Sequence, residues 1–315
     1  MVDLSVNICG VVCHSPVAMA SGNAGYGLEY QAVSGFHNQD VGAVFLKGTT
    51  LEPKLGNKPD RVWETPNGLL NSIGLQNPGV DYVVNQLLPQ LDYSATQYFA
   101  NVSGSSIEEY AEVCRRFDQT ALAGLEINIS CPNVKKGGAA FGNDPDMAAR
   151  VVEACRASTT KPLIIKLSPN QTDVAEGARR VIEAGADALS AINTLMGMSI
   201  NIDTWRPDLG NNQGGLSGPA IKPVALLRVH QVYQVAKHHD IPIIGLGGVS
   251  CAEDAIEFFL AGASMVAVGT ALAKDPLLIK KMNKGIARYL EKRGLQSVSQ
   301  LTGKLELNTD TVLCG

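Results

Sequence analysis

The chain has 315 residues and a mass of 33.3 kDa, about twice the size of a common single domain but within the range of one α/β barrel. Its 45% hydrophobic and 18% charged residues allow a large core and exclude a disordered segment. A formal net charge of −4 disfavours a nucleic-acid-binding protein, which normally carries an excess of basic residues.

The amino-terminal sequence gives no sign of targeting to a membrane. Residues 1–22 contain neither a basic segment nor a continuous apolar stretch. No apolar run in the chain reaches the roughly 18 residues of a membrane span. The sequence therefore predicts a cytoplasmic protein without a signal peptide or membrane anchor.

Eight short apolar runs, each followed by a polar or glycine-rich cluster, predict buried parallel strands. In chain order they cover residues 16–21, 41–48, 98–104, 124–130, 162–168, 187–194, 241–248 and 264–270. Helical spacing of apolar residues separates several of them, at residues 107–118, 144–157, 173–184, 219–238 and 252–261. This alternation predicts an α/β fold, a (β/α)8 TIM barrel, with a doubly wound sheet as the alternative.

Two long segments exceed the needs of a bare barrel. Residues 50–78 and 198–215 are loop insertions that follow the second and sixth predicted strands. Loops this long often cover a binding site, and both leave the carboxyl ends of strands, where barrel enzymes place their active sites. The remaining sequence predicts one barrel domain over residues 1–315, with a hairpin within residues 1–15 at the opposite end and a loosely held tail at 304–315.

The cysteines do not indicate a disulfide scaffold or a metal site. Their number is odd, their spacing is wide and no CxxC pair occurs, so a zinc or iron–sulfur site within this chain is not expected. Most should be small buried hydrophobic residues of a protein from a reducing compartment. They are Cys9, Cys13, Cys114, Cys131, Cys155, Cys251 and Cys314.

Glycines after the last two predicted strands indicate a phosphate site. Gly247 and Gly248 end the seventh strand, and Gly269 and Thr270 end the eighth. Barrel phosphate sites are commonly built from these two loops, where glycine lets backbone N–H groups approach an anion. Tight turns alone are the alternative explanation.

Two lysines end predicted buried strands. Lys47 and Lys166 should point into the barrel mouth, where a buried ammonium group is costly unless an anion lies nearby. The anion could be a substrate, a cofactor or a neighbouring carboxylate of the protein. A lysine at such a position could also form a Schiff base, which leaves an aldolase that uses Lys166 as a more distant alternative.

Carboxamides and one thiol are predicted to face the same mouth. Asn71, Asn101, Asn128 and Asn193 offer donors and acceptors that suit a flat ring with alternating C=O and N–H groups. Cys131 follows the fourth strand, and the nearby lysines would favour its thiolate, so it is the candidate general base. A structural thiol is the alternative.

Six short motifs are distributed along the chain: residues 20–22 (ASG), 47–50 (KGTT), 71–77 (NSIGLQN), 128–134 (NISCPNV), 193–194 (NT) and 245–249 (GLGGV). In these motifs the chain resembles the cytosolic class of the dihydroorotate dehydrogenase family, over nearly its whole length. Residues 131–138 (CPNVKKGG), followed by Phe141 and Gly142, resemble the NAD-linked subclass. The quinone-linked membrane class has serine where this chain has Cys131.

The resemblance implies one FMN per chain and oxidation of dihydroorotate to orotate in the pyrimidine pathway to UMP. Cys131 would accept the C5 proton while the C6 hydride moves to the flavin, and Lys166 would stabilise the negative charge of the reduced flavin. The substrate residues implied are Lys47, Asn71, Ser72, Ile73, Gly74, Leu75, Asn128, Asn193 and Thr194. The FMN residues implied are Ser21, Lys47, Gly48, Asn101, Asn128, Lys166, Ile192, Gly218, Gly247, Gly248, Gly269 and Thr270.

The NAD-linked subclass also implies a partner subunit that carries FAD and a [2Fe–2S] cluster. The present sequence has no cluster motif and no GxGxxG after a strand. The expected assembly is a heterotetramer built on a homodimer of this chain. Nucleic acid and membrane are not expected as partners, and no metal site is expected in this chain. The alternatives are a fumarate-linked homodimeric dehydrogenase and a non-catalytic flavin-binding or nucleotide-binding module.

Overall fold

The structure is a computed structural model that describes residues 2–129 and 141–308. Ser130, Cys131 and the end of the tail lie outside the described residues. The strands are β1 Val6–Ile8, β2 Val11–Cys13, β3 Val17–Met19, β4 Ala43–Thr49, β5 Val62–Thr65, β6 Gly68–Asn71, β7 Gln97–Val102, β8 Gly124–Asn128, β9 Leu163–Lys166, β10 Ala188–Ala191, β11 Leu195–Gly197, β12 Ile200–Asn201, β13 Arg206–Pro207, β14 Gly214–Ser217, β15 Ile243–Leu246 and β16 Met265–Val268.

Eight of these strands form a closed parallel barrel. Their order around it is β3-β4-β7-β8-β9-β10-β15-β16, and β16 pairs again with β3. Each barrel strand overlaps one of the eight predicted apolar runs, because both faces of every strand are covered and apolar residues fill them. The predicted TIM barrel is confirmed, and closure excludes the doubly wound sheet.

Helices surround the barrel, and polar side chains cap the starts of three of them. They are α1 Val80–Tyr82, α2 Ile107–Asp118, α3 Pro145–Arg156, α4 Val174–Glu183, α5 Lys222–Ala236, α6 Ala252–Ala261 and α7 Leu278–Arg293. The side chains of Ser106, Asp144 and Asp173 accept backbone N–H groups at the starts of α2, α3 and α4. Helices α2 to α7 pack side by side in chain order, and α7 also contacts β3. None of the helices in the described ranges is long and apolar enough to cross a membrane.

A short hairpin lies at the amino-terminal end of the barrel. Strands β1 and β2 pair antiparallel, with Ile8 buried. The thiol of Cys9 donates to the carbonyl oxygen of Asp187, one residue before β10 begins. This contact places the hairpin on the face opposite the carboxyl ends of the strands.

Strands from the two insertions pair to form a small sheet over the carboxyl ends of the barrel strands. Strands β5 and β6 come from the segment after β4, and β11 and β14 come from the segment after β10. They pair in the order β11-β14-β6-β5, with Asn71 of β6 opposite Gly215 of β14. The mouth of the barrel is therefore covered by a hydrogen-bonded sheet that ties two distant parts of the chain together.

Candidate active site

A cavity of about 800 Å³ lies at the carboxyl ends of the barrel strands, beneath the small sheet. Its volume falls within the range of ligand pockets. Every site residue predicted from the sequence that the structure describes lines this one cavity. These residues are Ser21, Lys47, Gly48, Asn71, Ser72, Ile73, Gly74, Leu75, Asn101, Asn128, Lys166, Ile192, Asn193, Thr194, Gly218, Gly247, Gly248, Gly269 and Thr270.

Lys47 brings a half-buried lysine side chain to one side of the cavity. The pairing of β4 with β7 is irregular between Phe45 and Gly48, so Lys47 lies at a break in the ladder. Burial lowers the pKa of Lys47 below 10.5, and the negative charge of Glu29 opposes that shift. A ligand carboxylate beside this group would favour its charged form.

Lys166 lies deeper, in a polar cluster at the ends of four neighbouring strands. Its ammonium nitrogen is 3.8 Å from a carboxylate oxygen of Glu126 and 3.5 Å from the hydroxyl oxygen of Ser21. Glu126 also accepts hydrogen bonds from Asn101 Nδ2 at 2.5 Å and Ser190 Oγ at 2.7 Å. The neighbouring carboxylate considered in the sequence analysis therefore exists, although Lys166 also borders the cavity.

Two carboxamides meet on the adjacent wall. Asn193 Nδ2 donates to Asn128 Oδ1 at 3.1 Å. The backbone carbonyl of Asn128 accepts from the Tyr110 hydroxyl at 2.7 Å, and Asn193 Oδ1 accepts from the backbone N–H of Thr194. These contacts hold the Asn128 and Asn193 side chains at the cavity wall.

Asn71 and Ser72 belong to the covering sheet. Asn71 Nδ2 donates to the Gly215 carbonyl at 3.1 Å, which adds a side-chain bond between the two insertions. Ser72 Oγ accepts from Asn57 Nδ2 at 2.9 Å. The insertion after β4 thus supplies polar groups to the cavity from above, opposite those at the strand ends.

Glycines form the side of the cavity next to β15 and β16. Gly247 and Gly248 have φ angles of 125° and 81°, which glycine adopts without strain. A Cβ at Gly248 would lie 2.8 Å from the backbone nitrogen of Lys222, so no side chain fits there. Thr270 Oγ1 donates to Ser217 Oγ at 2.8 Å and links this side to the covering sheet.

Glu126 and Ser190 lie in the polar cluster beneath the cavity and were missed by the sequence analysis. Both are buried, and Glu126 lies within the apolar run of β8, two residues before Asn128. Alternate residues of a strand share a face, so Glu126 and Asn128 face the same side. A carboxylate in a buried strand, two positions from a predicted ligand residue, was a signal available in the sequence.

Comparison with known proteins agrees with this geometry. The family model for dihydroorotate dehydrogenase matches residues 3–290. A protein of Geotalea daltonii named dihydroorotate dehydrogenase B (NAD(+)), catalytic subunit, is 50% identical over 306 residues, which are 97% of this chain and 99% of that protein. A protein of the same name from Anoxybacillus flavithermus is 46% identical over 314 residues and covers 99% of each chain.

A solved structure has the same fold at lower identity. DHODH from Eimeria tenella, in complex with ferulenol, superposes with a TM-score of 0.79 and 23% identity, over 96% of this chain and 88% of that one. The match to the family model over residues 3–290 and the relatives at 46–50% identity settle the family, as the sequence motifs predicted. The chain belongs to the dihydroorotate dehydrogenase family of oxidoreductases.

Proposed function

We propose that this chain binds FMN, oxidises dihydroorotate to orotate in pyrimidine biosynthesis, and passes the electrons to NAD through a partner subunit. The observation that carries the proposal is the convergence of Lys47, Lys166 and four asparagines on one cavity. The names of the relatives support the substrate and the NAD linkage. They favour this function over the fumarate-linked enzyme and the Schiff-base aldolase.

The cavity fits FMN in polarity as well as in size. The glycines beside β15 and β16 suit a phosphate, and the opposite wall offers the amides and the ammonium group that a flavin pyrimidine ring requires. Asn101 Oδ1 is buried and has no hydrogen-bond partner within residues 2–129 and 141–308. An unpaired buried acceptor at a cavity wall is accounted for by a bound donor. FMN would supply the acceptor for the hydride of dihydroorotate.

The substrate would bind between the covering sheet and the strand ends. Lys47 would pair with the carboxylate of dihydroorotate, and Asn71, Asn128 and Asn193 would contact its ring. These groups come from four different segments, so together they fix the ring's position and orientation. Lys166 would lie next to the negative charge that develops on the reduced flavin.

Cys131 would take the proton from C5 as C6 gives up its hydride. It lies outside the described residues, so its role rests on the motif and on Asn128, which lies three positions earlier at the cavity wall. Removal of one proton and one hydride converts the C5–C6 single bond of dihydroorotate into the double bond of orotate. Because the flavin would cover the face that gives up the hydride, the base would reach C5 from the opposite face.

A partner must carry the electrons onward if NAD is the acceptor. The relatives are named as catalytic subunits, which implies a further subunit in those enzymes. We propose a homodimer of this chain with two subunits that each carry FAD and a [2Fe–2S] cluster. The exposed apolar side chains of Ile200, Ile202 and Trp205, all in the insertion after β10, support a protein interface on this side.

Anaerobic reduction tests the proposed reaction. The purified chain loaded with FMN should be yellow, and dihydroorotate should bleach its visible absorbance. Because the chain alone lacks the proposed route to NAD, added NAD should restore the colour slowly, and only the partner subunit should make that step fast. Stopped-flow absorbance measures both steps.

Orotate in place of dihydroorotate serves as the control, since it holds no hydride to give. A folded chain that takes up no FMN would contradict the proposal. Rapid restoration of the colour by fumarate, with no effect of NAD and the partner, would instead show the fumarate-linked enzyme.

Cys131→Ser should slow flavin reduction by dihydroorotate roughly 10²–10⁴-fold, since a hydroxyl is a far weaker base than a thiolate. Orotate binding, measured by its perturbation of the flavin spectrum, should persist. Cys251→Ser is the matched control, because Cys251 is a partly buried cysteine outside the cavity lining. Equal reduction rates in the wild type and Cys131→Ser would remove Cys131 as the base.

Lys47 should give substrate binding an alkaline limit. The charged form binds the carboxylate and is lost as pH rises through a pKa that burial lowers, so KM for dihydroorotate should increase at a pH below the ordinary lysine range. Glu29→Gln removes the charge that raises this pKa and should move the limit to lower pH. Initial rates of flavin reduction across neutral and alkaline pH measure it.

Lys47→Ala should raise KM about tenfold to hundredfold at neutral pH and remove the alkaline limit. If the alkaline rise in KM occurs at the same pH in the wild type and in Lys47→Ala, then a group other than Lys47 causes it.

A further inference from the structure

Glu126 is the one carboxylate described in the polar cluster beneath the cavity, and the proposed chemistry gives it no direct role. It is 2% exposed and lies on β8, between Asn101 of β7 and Lys166 of β9. In the barrel register Asn101 pairs with Glu126, and Lys166 pairs with Ser190. The cluster therefore spans four consecutive strands, and Glu126 is its common acceptor.

The Glu126 carboxylate determines whether the amide nitrogen or the amide oxygen of Asn101 faces the cavity. Asn101 Nδ2 is 2.5 Å from Glu126 Oε2, so the amide group points towards Glu126. The opposite orientation would place two acceptor oxygens against each other. Since Glu126 can only accept when ionised, Asn101 Oδ1 is forced to the other side.

On that side the acceptor meets the cavity wall. A Cβ at Gly48 would lie 2.9 Å from Asn101 Oδ1, and Gly48 lines the cavity. Within residues 2–129 and 141–308, Asn101 Oδ1 has no partner although Asn101 is 1% exposed. Leaving a buried acceptor unpaired is costly, so a ligand that brings a donor to this point is favoured.

The topology indicates which part of FMN would bring that donor. Strand β7 lies opposite β15 in the order around the barrel, and β15 carries the glycines proposed to hold the phosphate. A flavin anchored by its phosphate there would reach Asn101 with its ring. The only ring N–H of an oxidised flavin is N3–H, and the neighbouring Lys166 suits the same polar edge.

We propose that Glu126 is a positioning residue that orients Asn101 so that its carbonyl oxygen accepts a hydrogen bond from flavin N3–H. Glu126 acts through Asn101 and does not touch the ligand. The inference rests on the proposed function, because it requires FMN in this cavity. Glutamine at position 126 would carry an amide that can also donate, and either orientation of Asn101 would then be satisfied.

The test compares FMN with 3-methyl-FMN, which lacks the N3 donor. Both are titrated into the full chain after removal of its flavin, and quenching of flavin fluorescence gives each Kd. The wild type should bind 3-methyl-FMN roughly tenfold to hundredfold more weakly than FMN. Glu126→Gln should bind FMN more weakly and lose most of this discrimination, and Asn101→Ala should lose it entirely.

Ser190→Ala is the matched control. It removes one hydrogen bond from Glu126 but leaves the carboxylate to orient Asn101, so it should keep the wild-type discrimination. The double variant Glu126→Gln/Asn101→Ala should bind FMN no more weakly than Asn101→Ala. Should Glu126→Gln not fold, Glu126→Asp gives the same test, since its shorter side chain withdraws the carboxylate from Asn101.

Each outcome bears on one of the two proposals. If Glu126→Gln prefers FMN over 3-methyl-FMN as strongly as the wild type does, the positioning role is overturned. Equal affinity of the wild type for the two flavins would overturn it as well. A folded wild type that binds neither flavin would instead overturn the proposed function.

Discussion

Closure of eight parallel strands is the constraint on which the site depends. Parallel strands all end in the same direction, and closure brings those ends to one rim. Ser21, Lys47, Asn101, Asn128 and Lys166 are far apart in sequence but line one cavity for this reason. The barrel supplies this convergence, and an irregularity in the pairing of β4 with β7 accompanies it at Lys47.

The polar cluster beneath the mouth shows what such convergence requires. A lysine and a glutamate taken out of water in an apolar barrel are costly unless hydrogen bonds compensate. Here Asn101 and Ser190 donate to Glu126, and Lys166 lies 3.8 Å from it. The arrangement satisfies the carboxylate, but among residues 2–129 and 141–308 it leaves Asn101 Oδ1 without a partner, and the proposed ligand would supply one. Binding of the proposed flavin would therefore offset part of the free-energy cost of burying these groups.

Much of the fold and the site could be predicted from the sequence because both follow from local patterns. Buried strands appear as apolar runs, and the residues that end them can be identified directly in the sequence, as with Lys47 and Lys166.

The pairing of β6 with β14 could not be predicted from the sequence, since it joins segments that are about 145 residues apart and carry no shared pattern. The contact between Glu126 and Asn101 was missed for a related reason, since it depends on the register of neighbouring strands. Helix α7 has helical spacing and is followed by Gly294 as its carboxyl-terminal cap, yet the sequence analysis did not include it. The role of Cys131 as the general base remains a prediction.

The central claim is that one cavity holds the flavin ring and the substrate between the strand ends and the covering sheet. A crystal structure of the FMN-loaded chain soaked with orotate tests it most directly. We expect orotate stacked on the flavin ring, with its carboxylate at Lys47 and the flavin pyrimidine edge at Asn101 and Lys166. Electron density for orotate elsewhere, or a flavin whose phosphate lies away from Gly247 and Gly248, would contradict it.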